Sequence, residues 1–299
     1  MKKIAVLLAA YNCEKYLREQ LDSILNQSNV SVTIYISLDK SKDSSLEIIE
    51  SYTKKYRNVN LLEYGKIYGS AGQNFFRLIC DIAIDDYDYV CFSDQDDIWF
   101  RSKLSHGVDV LIKSEADAYS ANVIAYWDDG YTKLVKKNAK QVKYDYLFES
   151  AGPGCTYIFA KDKFKLFQNY LIENRFHLSK VWLHDWLAYS YYRGNKFKWI
   201  IDERPLMYYR QHSNNELGAN FNIRSLLIRA KKLLKKNGDQ LVLNQAEFLK
   251  QTASKPINLL TQHRSGFLQL AMMSKILRRK KTDKFFCMLY FFFRYLRGY

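Results

Sequence analysis

What this 299-residue chain lacks removes several function classes before any motif is read. The segment Ala9-Ala10-Tyr11-Asn12-Cys13, which follows the first apolar run, contains no glycine. The tight turn that lets a dinucleotide pyrophosphate approach a helix N-terminus is therefore missing, and a Rossmann dehydrogenase is disfavoured. No glycine-rich loop closing on Lys-Ser/Thr occurs either, so a nucleotide here would be held by metal and side chains instead of a backbone cradle. Cysteine is sparse and odd in number: Cys13, Cys80, Cys91, Cys155 and Cys287 sit mostly inside apolar runs. That pattern argues for reduced thiols and a cytoplasmic protein. The aromatic run Phe285 to Phe293 has nine residues, well short of the ~20 that cross a bilayer. Met1-Lys2-Lys3 followed by Ile4 to Ala10 imitates a short signal peptide, but it leads into Tyr-Asn-Cys-Glu without a small-residue cleavage pattern and reads as a buried strand.

Charge is present in quantity, and its placement matters more than its sum. The formal net charge is +15, yet residues 222–299 hold 17 Lys and Arg against 3 Asp and Glu, leaving the first 221 residues close to neutral. A hydrophobic content of 48% is ample for a core. The expected organisation is a neutral body, 1–221, and a basic C-terminal region, 222–299.

Within the body, strand and helix patterns alternate four times in about a hundred residues, which predicts an α/β fold with a mostly parallel sheet flanked by helices. Ile4 to Ala10, Val32 to Leu38, Val59 to Tyr64 and Tyr87 to Phe92 read as strands. Helices are expected over Glu14 to Gln27, up to Tyr56, Gln73 to Ile84 and Phe100 to Ser114, and Ala118 to Tyr126 reads as one strand. Asp43 suits a helix cap.

Phe92-Ser93-Asp94-Gln95-Asp96-Asp97-Ile98-Trp99 places three carboxylates in four residues at the carboxyl end of a buried strand, where open α/β sheets bind ligands. Acids packed this closely repel one another unless solvated or neutralised by a hard divalent cation. Farther on, Ala151-Gly152-Pro153-Gly154-Cys155 breaks the chain, its glycines allowing close backbone approach. His184-Asp185 then lies between Trp182 and Trp186. From Asn222 the pattern is helical and basic, with Arg278-Arg279-Lys280-Lys281 preceding the aromatic run. Basic clusters beside apolar faces suit a helix lying in an anionic membrane surface; the alternative is a helical appendage packed on the body.

Ala10-Tyr11-Asn12, the Asp39 loop, Asp94-Gln95-Asp96-Asp97-Ile98-Trp99, His184-Asp185-Trp186 and Tyr209-Arg210-Gln211-His212, in that order, give a chain that resembles family 2 glycosyltransferases of the GT-A fold. It looks most like bacterial rhamnosyltransferase-type enzymes of cell-surface polysaccharide synthesis, over about residues 2 to 220. The resemblance implies nucleotide-sugar contacts from Ala10, Tyr11, Asn12, Asp39, Asp94 and Gln95. It further implies a Mg²⁺ or Mn²⁺ site at Asp96 with His212, and Asp185 as catalytic base. Trp99, Gly154, Cys155, His184 and Trp186 are expected around the acceptor or in the pocket wall, Trp99 and Trp186 reading as core or pocket wall and not as sugar-stacking platforms. Where the family has two acids followed by Gly-Ser, this chain reads Leu38-Asp39-Lys40-Ser41.

A nucleotide-sugar donor brings its own leaving group, so two tasks remain: neutralising the departing diphosphate and deprotonating the acceptor hydroxyl. One base without a second carboxylate in a comparable setting implies direct displacement with inversion. The expected donor is dTDP-rhamnose or a UDP-hexose, the acceptor lipid-linked, and the place of work the cytoplasmic face of the membrane, with an oligomer allowed. Two other classes were weighed. A nucleic-acid binder would use the basic tail but has no use for an acidic cluster, and a sugar nucleotidyltransferase would need a Gly-rich, basic phosphate loop after the first strand.

Overall fold

The computed structural model describes residues 1–212, 238–262 and 264–297. The N-terminal apolar run forms β1 (Lys2–Ala10), buried on both faces from Ile4 onward, as a strand with neighbours on either side must be. It is followed by α1 (Leu17–Leu25), β2 (Val30–Leu38), α2 (Ser45–Lys55), β3 (Val59–Leu61), α3 (Ala71–Asp81) and β4 (Tyr89–Ser93). β2 and β4 flank β1, both parallel to it, with Ala10 paired to Leu38 and Leu8 to Ser93. The chain thus winds outward through β2 and β3, then returns to the other side of β1. This reversal opens a crevice at the carboxyl ends of β1, β2 and β4, where a doubly wound sheet takes its ligand.

The second half supplies β5 (Ile98–Trp99), α4 (Lys103–Ser114), β6 (Ala118–Ala121), β7 (Val123–Trp127), β8 (Thr132–Val135), β9 (Ile158–Ala160), α5 (Lys161–Glu173), α6 (His184–Gly194), β10 (Trp199–Asp202) and β11 (Met207–Gln211). The seven-stranded sheet runs β10-β6-β9-β4-β1-β2-β3, with β9 antiparallel to β4 and β6 and the other pairs parallel. One apolar cluster covers the α1, α2 and α4 side; a second, rich in Phe and Tyr, covers the side of α3, α5 and α6. Each fully buried Leu or Phe there contributes about 1.5–3 kcal/mol.

The single strand expected over Ala118 to Tyr126 is two strands in two sheets. Asn122, 2% exposed, interrupts it. Its amide nitrogen donates to the Glu203 carbonyl at 2.7 Å and its Oδ1 accepts from the Asn138 backbone at 3.1 Å. Those bonds replace ladder bonds, so the chain leaves the first sheet after Ala121 and enters a second one, ordered β5-β11-β7-β8.

Beyond the body lie α7 (Gly238–Phe248), α8 (Lys255–Thr261), α9 (Arg264–Met272), α10 (Ser274–Leu277) and α11 (Lys281–Arg297). The expected boundary at 221/222 and the basic stretch Leu226 to Lys236 lie outside the described residues. These helices share a third apolar cluster with Leu147 and Trp186 of the body. Arg279, 6% exposed, pins the two parts together: its backbone amide donates to Glu149 at 2.7 Å, and its guanidinium lies 3.5 Å from Glu149 and 3.8 Å from Asp145.

Candidate active site

The rim of the crevice begins where β1 ends. Ala10 is buried, and its carbonyl accepts from the Asp39 amide at 2.8 Å and from Asn74 Nδ2 at 3.2 Å. Tyr11 is half exposed, and its amide donates to Gln95 Oε1 at 2.6 Å, which ties the β1 turn to the acidic segment. Asn12 turns the chain with φ of 43°, a left-handed conformation that Asn tolerates better than most residues. Its Oδ1 accepts from Lys42 N and its own amide donates to Ser41 Oγ. Asp39, 5% exposed, accepts from the backbone amides of Lys40, Tyr68 and Gly69 at 2.8, 2.9 and 3.0 Å. It therefore shapes the Gly65–Gly69 side of the crevice through backbone contacts. Asp43 accepts from the amides of Glu14 and Ser45, while Glu14 Oε2 accepts from the Ser44 amide, a reciprocal cap joining the starts of two helices.

The acidic segment is divided by the second sheet. Asp97 is fully buried, and its Oδ1 accepts from the Arg210 amide of β11 at 3.2 Å. Burial, then the neighbouring Asp96 and Asp94, pushes its carboxyl well above the usual range. Asp96, 8% exposed, turns instead to His212, with Oδ2 and Nε2 2.7 Å apart, and the His212 ring stacks on Tyr16 at 5.4 Å. Ligand-type atoms of Asp94, Asp97 and Cys155 lie within 4.8 Å of one another. The expected Asp96–His212 pair is thus brought together, and beside it stands a second grouping in which Cys155 is a member.

A divalent cation suits these donors. The Asp97 Oδ2 is buried without a hydrogen-bond partner among the described residues, and hard cations take carboxylate oxygens. Burial, then Asp97 and Asp94, pushes the Cys155 thiol well above its usual value.

Two cations that were not singled out as site residues complete the site. Arg210, 5% exposed, donates through Nε to the Asp96 carbonyl at 2.8 Å, pairs with Glu19 of α1 and with Asp128, and lies over the Tyr16 ring at 4.3 Å. It clamps the acidic segment between the two sheets. An arginine in the middle of an aromatic strand was the available signal. Lys103, 3% exposed, sits over the Trp99 ring at 3.4 Å, with Nζ lacking a hydrogen-bond partner among the described residues. Desolvation lowers its pKa, against the pull of Cys91, Cys155 and Asp97. Sequence offered no signal for it, because a lysine at a helix start looks solvated.

Across the crevice, α6 begins with His184 and Asp185. Asp185 is 9% exposed, and its Oδ1 accepts from the Trp186 amide at 2.7 Å. His184 stacks on Phe75 with ring centroids 3.7 Å apart, both ring nitrogens lack hydrogen-bond partners among the described residues, and desolvation lowers its pKa to about 3. It is a neutral ring in an aromatic layer. Trp99 and Trp186 are core residues at 3% and 8% exposure. Trp99 belongs to the second sheet, in β5 opposite Met207 of β11, and joins the first apolar cluster, and Trp186 packs towards the C-terminal helices with its Nε1 donating to the Tyr146 carbonyl at 2.9 Å.

Gly154 and Cys155 join the two sides. A Cβ on Gly154 would lie 2.7 Å from His184 Nε2 and 3.2 Å from Asp185 Cβ, so only glycine lets this backbone lie against the start of α6. The next residue, Cys155, touches the acid cluster.

Comparison with known proteins agrees with this layout. Residues 5–176 match the model of Glycosyl transferase family 2. The chain is 41% identical over 283 residues to the dTDP-rhamnosyl transferase RfbG of Shigella flexneri, covering 94% of this chain and 98% of that protein. A shorter match, 38% over 97 residues, is to the poly(ribitol-phosphate) beta-glucosyltransferase of Bacillus spizizenii, covering 32% of this chain and 15% of that protein. Among solved structures, S. aureus TarS (residues 1–349) in complex with UDP-GlcNAc superposes with a TM-score of 0.54 at 15% identity, covering 98% of this chain and 89% of that one, a likeness of fold. The chain belongs to glycosyl transferase family 2 and is a glycosyltransferase of GT-A fold.

Proposed function

We propose that the protein is an inverting, metal-dependent rhamnosyltransferase that takes rhamnose from dTDP-rhamnose and adds it to a hydroxyl of a lipid-linked saccharide during cell-surface polysaccharide synthesis. The observation that carries the reading of the site is the Gly154–Cys155 pair. One residue abuts Asp185 and the next touches the Asp94–Asp97 cluster, so a donor held at the cluster presents its sugar towards the carboxylate. The near full-length similarity to a dTDP-rhamnosyl transferase favours that donor over a UDP-hexose.

In the step, the acceptor oxygen bonds to the anomeric carbon as the bond from that carbon to the diphosphate oxygen breaks. Asp185 takes the acceptor proton, and dTDP leaves with the electron pair. Asp94, Asp96 and Asp97, with His212, would hold Mg²⁺ or Mn²⁺, whose charge offsets that developing on the diphosphate. Arg210 keeps the acids convergent, and Asp39 holds the loop that borders the base. With a single carboxylate at the acceptor side, attack comes from the face opposite the leaving group and the configuration inverts.

The test is transfer or hydrolysis assayed across nucleotide sugars with Mg²⁺ or Mn²⁺, for the parent and for Asp96→Ala. The expected result is metal-stimulated turnover of dTDP-rhamnose in the parent and loss of the stimulation in the variant. Full, metal-independent activity in Asp96→Ala would sink the site assignment, and turnover of a UDP-hexose alone would replace the donor.

A further inference from the structure

We propose that the outward face of α11 is a docking surface for an anionic phospholipid bilayer. The inference deepens the reading of a lipid-linked acceptor, and rests on it for its purpose though not for its test. A helix on a protein surface ordinarily turns its polar side to water, and α11 does the reverse. Its inward anchor is Phe291, 2% exposed and stacked on Phe267 of α9 at 6.4 Å. At about 100° per residue, Phe286, Phe293 and Leu296 fall on the opposite side of the helix, and Phe285 and Phe292 widen the stripe along one flank. In that order they are 48%, 59%, 51%, 54% and 42% exposed. Singly exposed hydrophobics are ordinary; five on one face of a 17-residue helix form a continuous patch.

Charge selects the occupant. Three arginines of this region are turned to internal partners: Arg278 to Glu149 and Asp283, Arg279 to Asp145 and Glu149, Arg294 to Asp239. Lys281 and Arg297, both exposed, stand at the two ends of the apolar stripe. Asp283 is the one acid in α11 and is paired with Arg278. A second copy of the same face would bring these cations against their like with no acid to offset them. Anionic headgroups offset them, while the phenylalanines enter the acyl boundary. No helix of the described residues is long and apolar enough to cross a membrane, so α11 lies flat on it.

The experiment is co-sedimentation of the full chain with phosphatidylglycerol/phosphatidylcholine vesicles and with pure phosphatidylcholine vesicles, for the parent and for Phe285→Ser/Phe292→Ser/Phe293→Ser. Vesicle-free thermal unfolding and donor hydrolysis serve as controls of folding, since none of the three positions touches the crevice. The parent is expected to pellet with anionic vesicles, less so at high salt or with neutral lipid, and the variant to lose about tenfold or more in partitioning with its unfolding unchanged. Equal pelleting of parent and variant, or no preference for anionic lipid, would overturn the proposal. So would a parent self-association, seen by sedimentation velocity and lost in the variant, with vesicle binding unaffected. Absence of nucleotide-sugar turnover in the parent would strike at the functional reading and leave the vesicle result standing.

Discussion

The body and the C-terminal helices follow opposite burial rules. In the body the aromatics are inside, as in the Phe92, Phe159, Phe164 and Tyr192 layer, and several buried charges, Asp96, Asp97, Lys103 and Arg210 among them, are grouped at the crevice. In α11 Arg294 is paired inward, while Phe285, Phe286, Phe292 and Phe293 face out. The body is built for water on its outside and a charged ligand in its crevice, whereas α11 has an outside that water does not suit. The two meet at Arg279 and Trp186, so the helix that carries Asp185 is also part of the seam.

The sharpest way to test that division is to disable the chemistry of the body alone. Asp185→Asn keeps an oxygen for the Trp186 amide and should lower kcat by about 10²–10⁴-fold, with donor KM and vesicle partitioning unchanged. Steady-state kinetics decide it, and wild-type turnover would remove the base. The seam itself is tested by Arg279→Met, which leaves Asp145, fully buried, with one fewer cationic partner. Arg193 and the Tyr189 hydroxyl still meet Asp145, so the cost falls below the ~3–5 kcal/mol of a buried charge left wholly unpaired. Denaturant unfolding should show that loss in a single transition; a separate early transition of the C-terminal helices would show that the two parts fold independently.

The effect of His184, inside the body, is nil at neutral pH and grows only on acidification. Its folded pKa, about 3, lies below its ordinary 6.5, so the unfolded chain binds the proton first as pH falls. Stability is therefore full above about pH 6.5 and is lost as pH drops towards 3, at up to about 1.4 kcal/mol per pH unit. His184→Gln should flatten the stability profile in that window, measured as denaturant midpoints from pH 7 to pH 4; an unchanged slope would place the titration elsewhere.

How much of this was legible follows from the range of the interactions. The alternation of β1 to β4 with three helices is local periodicity and could be read directly, as could the acids behind β4, because three carboxylates in four residues demand an explanation. The second sheet could not. β5 has two residues and no period, β8 is mostly exposed, and the departure of β7 from the first sheet depends on what Asn122 bonds to 81 residues away. For Trp99 and Trp186 sequence leaves core and pocket wall both open, because which way a ring points is decided by the packing of Trp99 beside Met207 of β11 and of Trp186 against the C-terminal cluster. Arg210 belongs to the same class, a strand residue whose partners lie on α1 and after β7.

That last residue sets an order in time. Asp97 and the residue whose amide closes over it are 113 positions apart, and Glu19 is 191 positions from the guanidinium it meets. β1 to β4 leave the ribosome long before β11 does, and pairings of such span are the slow ones. Until β11 arrives, the acidic segment lacks the backbone amide and the guanidinium that hold it. Competence for the reaction arrives only with β11, the last strand before the C-terminal helices among the described residues.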